Sequence, residues 1–205
     1  MNMGLTAKMQ IEDAHKALID FDTGLARKVE DREQNIDELY AKADQHIINM
    51  LARRQPVAND LRVVVASQKI ASELERIADY AANIAGHVIK LADNNGADSL
   101  PLDQVEVMAQ TALLMLTEAM QIYNDKVEKP VASIWKQDER INAAFSKLIE
   151  ELSRLMIADA GATQKHTSML FIGRCFERIG DHIKNMAEHL HYMFTGDSFS
   201  PVDCQ

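Results

Sequence analysis

Glu75, Asp79 and Asn83 are spaced four residues apart, and so are Glu177, Asp181 and Asn185. At about 100° per residue on an α-helix, that spacing drifts only about 40° per step, so each trio forms one stripe. Stripes of carboxylate and amide oxygens suit one chemistry above others, the ligation of hard cations such as Mg²⁺, Mn²⁺ and Ca²⁺, or of iron. Two further pairs share the spacing: Glu33 with Asp37, and Asp138 with Asn142. If the helices bearing them pack beside those bearing the stripes, the pairs converge into multi-carboxylate surfaces. Like charges at i,i+4 destabilise a helix by a few tenths of a kcal/mol, and both halves of the sequence keep that arrangement. The residues alone leave a second reading open: ordinary solvated faces, with Arg76 and Arg178 as local partners.

Other chemistry is hard to nominate. The sequence contains no Gly-rich phosphate loop, no GxSxG and no CxxC. The ExxH spacing of ferritin-like di-iron helices occurs at Glu12 and His15. His87 and His189 are rotated about 120° from Glu75 and Glu177 on a straight helix, which makes them surface or partner residues rather than co-ligands. Cys175 lies in an apolar stretch and reads as core. The eleven methionines read as adaptable core filling. With no nucleophile–base pair, no catalytic residue is expected, and the protein reads as non-enzymatic.

The elements that position these groups follow from composition and period. Eight Gly and four Pro in 205 residues, with 5% aromatics, leave too few turn-forming and strand-forming residues for a sheet protein. The fold class is therefore all-α. The balance of 22 basic against 31 acidic residues gives −9, without the basic footprint of nucleic-acid binding. No 18-residue apolar run and no signal-like N-terminus occur. The expectation is a soluble, cytoplasmic chain with no membrane insertion.

Six helices are predicted, over Thr6–Lys28, Glu33–Arg53, Val57–Leu91, Leu102–Lys129, Val131–Ala158 and Ala162–Phe194. Pro56, Pro130 and Gly161 mark joints. In the third, Ile70, Leu74, Ile77, Ala81, Ile84, Val88 and Leu91 alternate spacings of four and three, a seam for antiparallel packing. The carboxylate stripe falls roughly opposite that seam. In the sixth it falls opposite Phe171, Ile172, Ile179, Ile183, Met186 and Leu190. Glu33 and Asp37 sit roughly 100° from the Ile36, Ala43, Ile47 and Met50 face.

Ile70–His87 laid on Ile172–His189 gives eight identities in 18 positions at a constant offset of 102. A repeat of that length fits duplication of a three-helix bundle. The boundaries expected are a first bundle over 5–92, a linker over 93–101, a second bundle over 102–195 and a tail over 196–205.

Glu-Arg-Ile-Ala-Asp at 75–79, Glu-Arg-Ile-Gly-Asp at 177–181, the Pro56…Asp60-Leu61-Arg62 opening of the third helix and the run Arg174–Glu188 closely resemble the PhoU family of phosphate-transport accessory and regulatory proteins. The resemblance covers about residues 5–195. It implies two pseudo-symmetric three-helix bundles, a homodimer, and restraint of phosphate uptake and of the phosphate-starvation regulon. That restraint would act through contact with the phosphate ABC transporter, chiefly its ATPase subunit, and with the phosphate-sensing histidine kinase. It further implies iron, zinc or other divalent metal ions held by E(D)xxxD motifs, here Glu33, Asp37, Glu75, Asp79, Asp138, Glu177 and Asp181. Asn142 departs from the acidic pattern. Asp60-Leu61-Arg62 also has no counterpart near Ala162-Thr163-Gln164, so the halves are not interchangeable. The alternative is a protein whose primary role is binding iron or another metal.

Overall fold

The computed structural model describes residues 2–93, 100–126 and 131–199. Among them the chain forms six α-helices and one 3₁₀ turn: α1 (Asn2–Asp20), α2 (Thr23–Arg54), α3 (Ala58–Asp93), α4 (Leu102–Asp125), α5 (Ala132–Ala158), the turn Ala160–Ala162, and α6 (Thr163–Thr195). The core of the predicted linker, 94–99, lies outside the described residues, as do Pro130 and the end of the tail with Cys204.

The first joint falls earlier than the sequence suggests. A single predicted helix over Thr6–Lys28 is in fact broken at Phe21-Asp22, and α2 starts at Thr23. Phe21 adopts the left-handed conformation (φ 49°). The Asp22 carboxylate then accepts from the Leu25 N–H at 2.9 Å, capping an otherwise unpaired donor. The helical texture of Ala26, Arg27 and Lys28 masked that cap. The remaining ends are closed by the same backbone logic. Gln55 ends α2 in the left-handed region, its N–H donating to Leu51 O, and Gly196 ends α6 at φ 87°, donating to Tyr192 O.

Helices α1–α3 pack together as one bundle and α4–α6 as the other, with α3 and α6 side by side between them. The seam of α3 is buried along its whole length from Ile70 to Leu91. A second row, Ala71, Ala78 and Ala85, is buried as well, because α3 touches α1, α2 and α6. The equivalent row on α6, at the repeat offset, is Gly173, Gly180 and Ala187. The glycines on α6 let α5 approach closely. A Cβ on Gly180 would stand 2.8 Å from Asp138 Oδ1 and 2.9 Å from Ile141 Cδ1 on α5. A single apolar core, with Phe176, Ile77, Ile84, Met115 and Ile141 among its fully buried members, runs through both bundles. Phe199, in the predicted tail, folds back to pack against Trp135, ring centroids 5.3 Å apart. No helix among the described residues is long and apolar enough to cross a membrane.

Candidate metal centre and its counterpart

The wide burial of α3 and α6 moves the carboxylate stripes from where helical-wheel arithmetic puts them. Glu75, Asp79, Glu177 and Asp181 are not opposite the apolar face. Their side chains are 20%, 22%, 15% and 31% exposed, at the margin where the neighbouring helix closes in. An apolar arc drawn from one seam underestimates what a helix with three neighbours buries. Phe171, placed on the apolar face by the same arithmetic, is half exposed and stacks on the ring of His87 at 5.2 Å.

In the first bundle α2 and α3 bring their pairs together. One oxygen each from Asp37, Glu75 and Asp79 lies within 4.8 Å of the other two. Glu33, one turn earlier on α2, feels the charges of Asp79 and Asp37. The cation beside them is Arg76, whose guanidinium lies 3.5 Å from Glu75 and 3.3 Å from Asp79. It does not balance the group. Burial, and then the charges of the other carboxylates, raise Glu33, Glu75 and Asp79 above their ordinary values, against the pull of Arg76 on the last two and of His182 on Asp79. Unit charges at such spacing repel by about 1 to 3 kcal/mol per pair as the effective dielectric falls from ~80 to ~20. Hard oxygen donors from two helices, in excess of their counter-charge and partly open to solvent, fit a di- or trivalent cation.

The second bundle places its residues differently. Asp138 is not on a surface but 3% exposed, tucked under Gly180. The ammonium of Lys184 donates to Asp138 Oδ2 at 2.9 Å and to Asp181 Oδ1 at 3.1 Å. Asn142 Nδ2 donates to the same Asp138 oxygen at 3.1 Å. Glu177 accepts from Arg174 at 2.8 Å and lies 3.7 Å from Arg178, which also reaches Asp181 at 3.3 Å. Burial works against the Lys184 charge, but its bonds to Asp138 and Asp181 outweigh that and hold its pKa above the usual lysine value. Trp135 lies beneath it, ring centroid 5.2 Å from Nζ. Asp138, Glu177 and Asp181 do not form a convergent trio of the kind seen in the first bundle.

One group escaped the sequence reading. Glu73, on α3, accepts from Nδ1 of His182 on α6 at 2.6 Å, and lies 3.6 Å from His189 Nε2 and 3.4 Å from Asn185 Nδ2. Burial alone would raise its pKa, but the hydrogen bonds of His182, His189 and Asn185 and the His182 charge overcome this and hold it at about 2. His189 is thus an inter-bundle contact rather than a surface residue. The one clue in the sequence is asymmetry, since the repeat places Cys175 opposite Glu73. Among the remaining groups, burial lowers the pKa of His15 and raises the Cys175 thiol to about 11, which leaves that thiol protonated and unreactive at neutral pH.

Two stretches of the chain, residues 1–88 and 105–190, match the family model described as the PhoU domain. The phosphate-specific transport system accessory protein PhoU homolog of Rhizobium meliloti (strain 1021) is 35% identical over 194 residues, covering 95% of this chain and 81% of that protein. The crystal structure of PhoU from Pseudomonas aeruginosa is similar with a TM-score of 0.89 at 31% identity, over 96% of this chain and 93% of that one. That of the phosphate transport system regulatory protein PhoU from Streptococcus pneumoniae gives 0.82 at 25% identity, over 97% and 93%.

Proposed function

Since the chain belongs to the PhoU family, we propose that it is a non-enzymatic, cytoplasmic adaptor that restrains phosphate uptake and the phosphate-starvation response when phosphate is plentiful. Its partners would be the ATPase subunit of the phosphate ABC transporter and the phosphate-sensing histidine kinase, met as a homodimer. A protein that only binds can regulate by preferring one conformation of its partner, shifting that equilibrium by its difference in affinity for the two states. The two long central helices, held rigid by one continuous core, suit that task.

The observation that carries the reading beyond family membership is the under-neutralised carboxylate group of the first bundle. Asp37, Glu75 and Asp79 would hold a divalent or iron ion, with Glu33 beside them. Such an ion supplies positive charge, and with it an attraction for oxyanions that an acidic face otherwise repels. The protein's own contribution is to hold the three oxygens together across the α2–α3 interface.

The deciding experiment is a starvation reporter, such as alkaline phosphatase, in cells lacking the protein and grown in excess phosphate. High activity, returned to low by the wild-type gene, is the expected result. Low activity in the deletion strain, together with no crosslinked transporter or kinase subunit from phosphate-replete cells, sinks the adaptor reading. The same carboxylates favour a second reading, in which metal handling is itself the role. Purified protein that oxidises Fe²⁺ no faster than buffer, and whose loss leaves cellular iron unchanged, removes it.

A further inference from the structure

Three positions around the carboxylates differ in charge between the two bundles, two at the repeat offset of 102 on the third helices and one at an offset of 105 on the second helices. Lys184 stands where the first bundle has Ala82, Arg174 where it has Ser72, and on the second helices Asn142 answers Asp37. Each change moves the second site in the same direction. In the first bundle four carboxylates, Glu33, Asp37, Glu75 and Asp79, have the guanidinium of Arg76 beside them, a net charge of −3 when His182, which acts on Asp79 from α6, is counted as uncharged. In the second, Asp138, Glu177 and Asp181 face Arg174, Arg178 and Lys184, and the group is neutral.

We propose that the second bundle takes no metal, because Lys184 is a built-in cation occupying the place a metal would have between Asp138 and Asp181. The two carboxylates reach one ammonium at 2.9 and 3.1 Å, so that Lys184 ties α6 to Asp138 on α5, as an ion held by Asp37, Glu75 and Asp79 would tie α2 to α3 in the first bundle. A metal entering here would have to displace a cation that is already hydrogen-bonded, with Asn142 offering only a neutral amide. The two carboxylate oxygens without a hydrogen bond do not make a site. Asp138 Oδ1 faces the backbone of α6 at Gly180, where no room exists even for a methyl group. Glu177 Oε2 is held in an ion pair with Arg178 at 3.7 Å. The family's metal motif is therefore present on the second bundle in sequence but filled by protein. Duplication has produced one metal-responsive bundle and one whose bridge is permanent.

This inference rests on the metal reading of the first bundle only for its wild-type arm, and the test separates the two. Mn²⁺ is titrated into the full-length protein and counted by loss of the free-ion electron paramagnetic resonance signal. Lys184→Ala combined with Asn142→Asp gives the second bundle the first one's pattern at both positions. The expected result is one class of bound Mn²⁺ in wild type, lost in Asp37→Asn, and an added class in the double variant that disappears when Asp138→Asn is introduced. If wild type binds no Mn²⁺ but the double variant does, the first-bundle reading fails and the role of Lys184 stands. No gain in a folded double variant overturns the proposal. Should that variant unfold, the Mn²⁺-induced rise in melting temperature decides. It should survive Asp138→Asn and vanish in Asp37→Asn, and the reverse pattern overturns the proposal.

Discussion

Glu73 and His182 join the two bundles, Oε2 of one lying 2.6 Å from Nδ1 of the other across the α3–α6 interface. Asn185 and His189 approach the same carboxylate from one and two turns along α6, and Tyr80 flanks the His182 ring at 5.5 Å. The repeat puts a thiol, Cys175, at the equivalent place on α6, so the contact is made once and not twice. Its effect is to fix how the bundles sit against each other.

Glu73→Gln should cost about 1.5 to 3 kcal/mol, the usual worth of a hydrogen bond to a charged group. The carboxylate's pKa of about 2 in the folded chain lies below its ordinary 4.5. Its stabilisation is therefore complete above pH ~4.5 and fades as pH falls toward about 2. Denaturant midpoints of wild type and variant should differ at pH 7 and converge through that window. Equal midpoints at pH 7 would show that the bundles dock without this contact.

Asp37→Asn should raise the melting temperature of the metal-free protein, by the equivalent of a few tenths to about 1 kcal/mol, because it removes a like charge from Glu33, Glu75 and Asp79. Those three groups have folded pKa values above their unfolded ones. Their repulsion is thus absent at low pH, where both states are protonated, and grows as pH rises through the carboxylate range. The gain from Asp37→Asn should shrink on acidification. Thermal melts at pH 7 and pH 4 check both signs, and a variant less stable at pH 7 would contradict them.

Ile77→Asp should abolish folding of the first bundle, since Ile77 is fully buried on the seam and an unpaired charge there costs several kcal/mol. The milder Ile77→Ala should lose about 2 to 5 kcal/mol. A normal circular dichroism melt for Ile77→Asp would mean the seam is misplaced.

Gly180→Ala and Gly86→Ala should differ in sign. The first puts a Cβ 2.8 and 2.9 Å from Asp138 Oδ1 and Ile141 Cδ1 on the packed α5, and should cost about 1 to 3 kcal/mol while loosening the Lys184 bridge. The second meets only the tip of the Glu30 side chain at 3.1 Å, which can swing aside. It should be neutral or gain up to about 1 kcal/mol from helix propensity. Paired denaturation curves distinguish them.

What the sequence determined by itself is the part governed by period and composition. The scarcity of Gly, Pro and aromatics excluded sheets, and the four–three alternation from Ile70 to Leu91 fixed the buried edge of α3. The repeat at 102 gave two bundles, and the motif residues gave the family. These are local or averaged properties, and a helix carries them along its own length. The tertiary structure decided what depends on neighbours. It showed that α3 and α6 each bury two rows, which brought the stripes to a closing margin and put Asp138 inside. It set Lys184 between Asp138 and Asp181, and Glu73 against His182. A side chain's spacing along one helix says which face it shares. Which charge it meets there depends on the helix across the interface, and a single helix's periodicity holds no record of that partner.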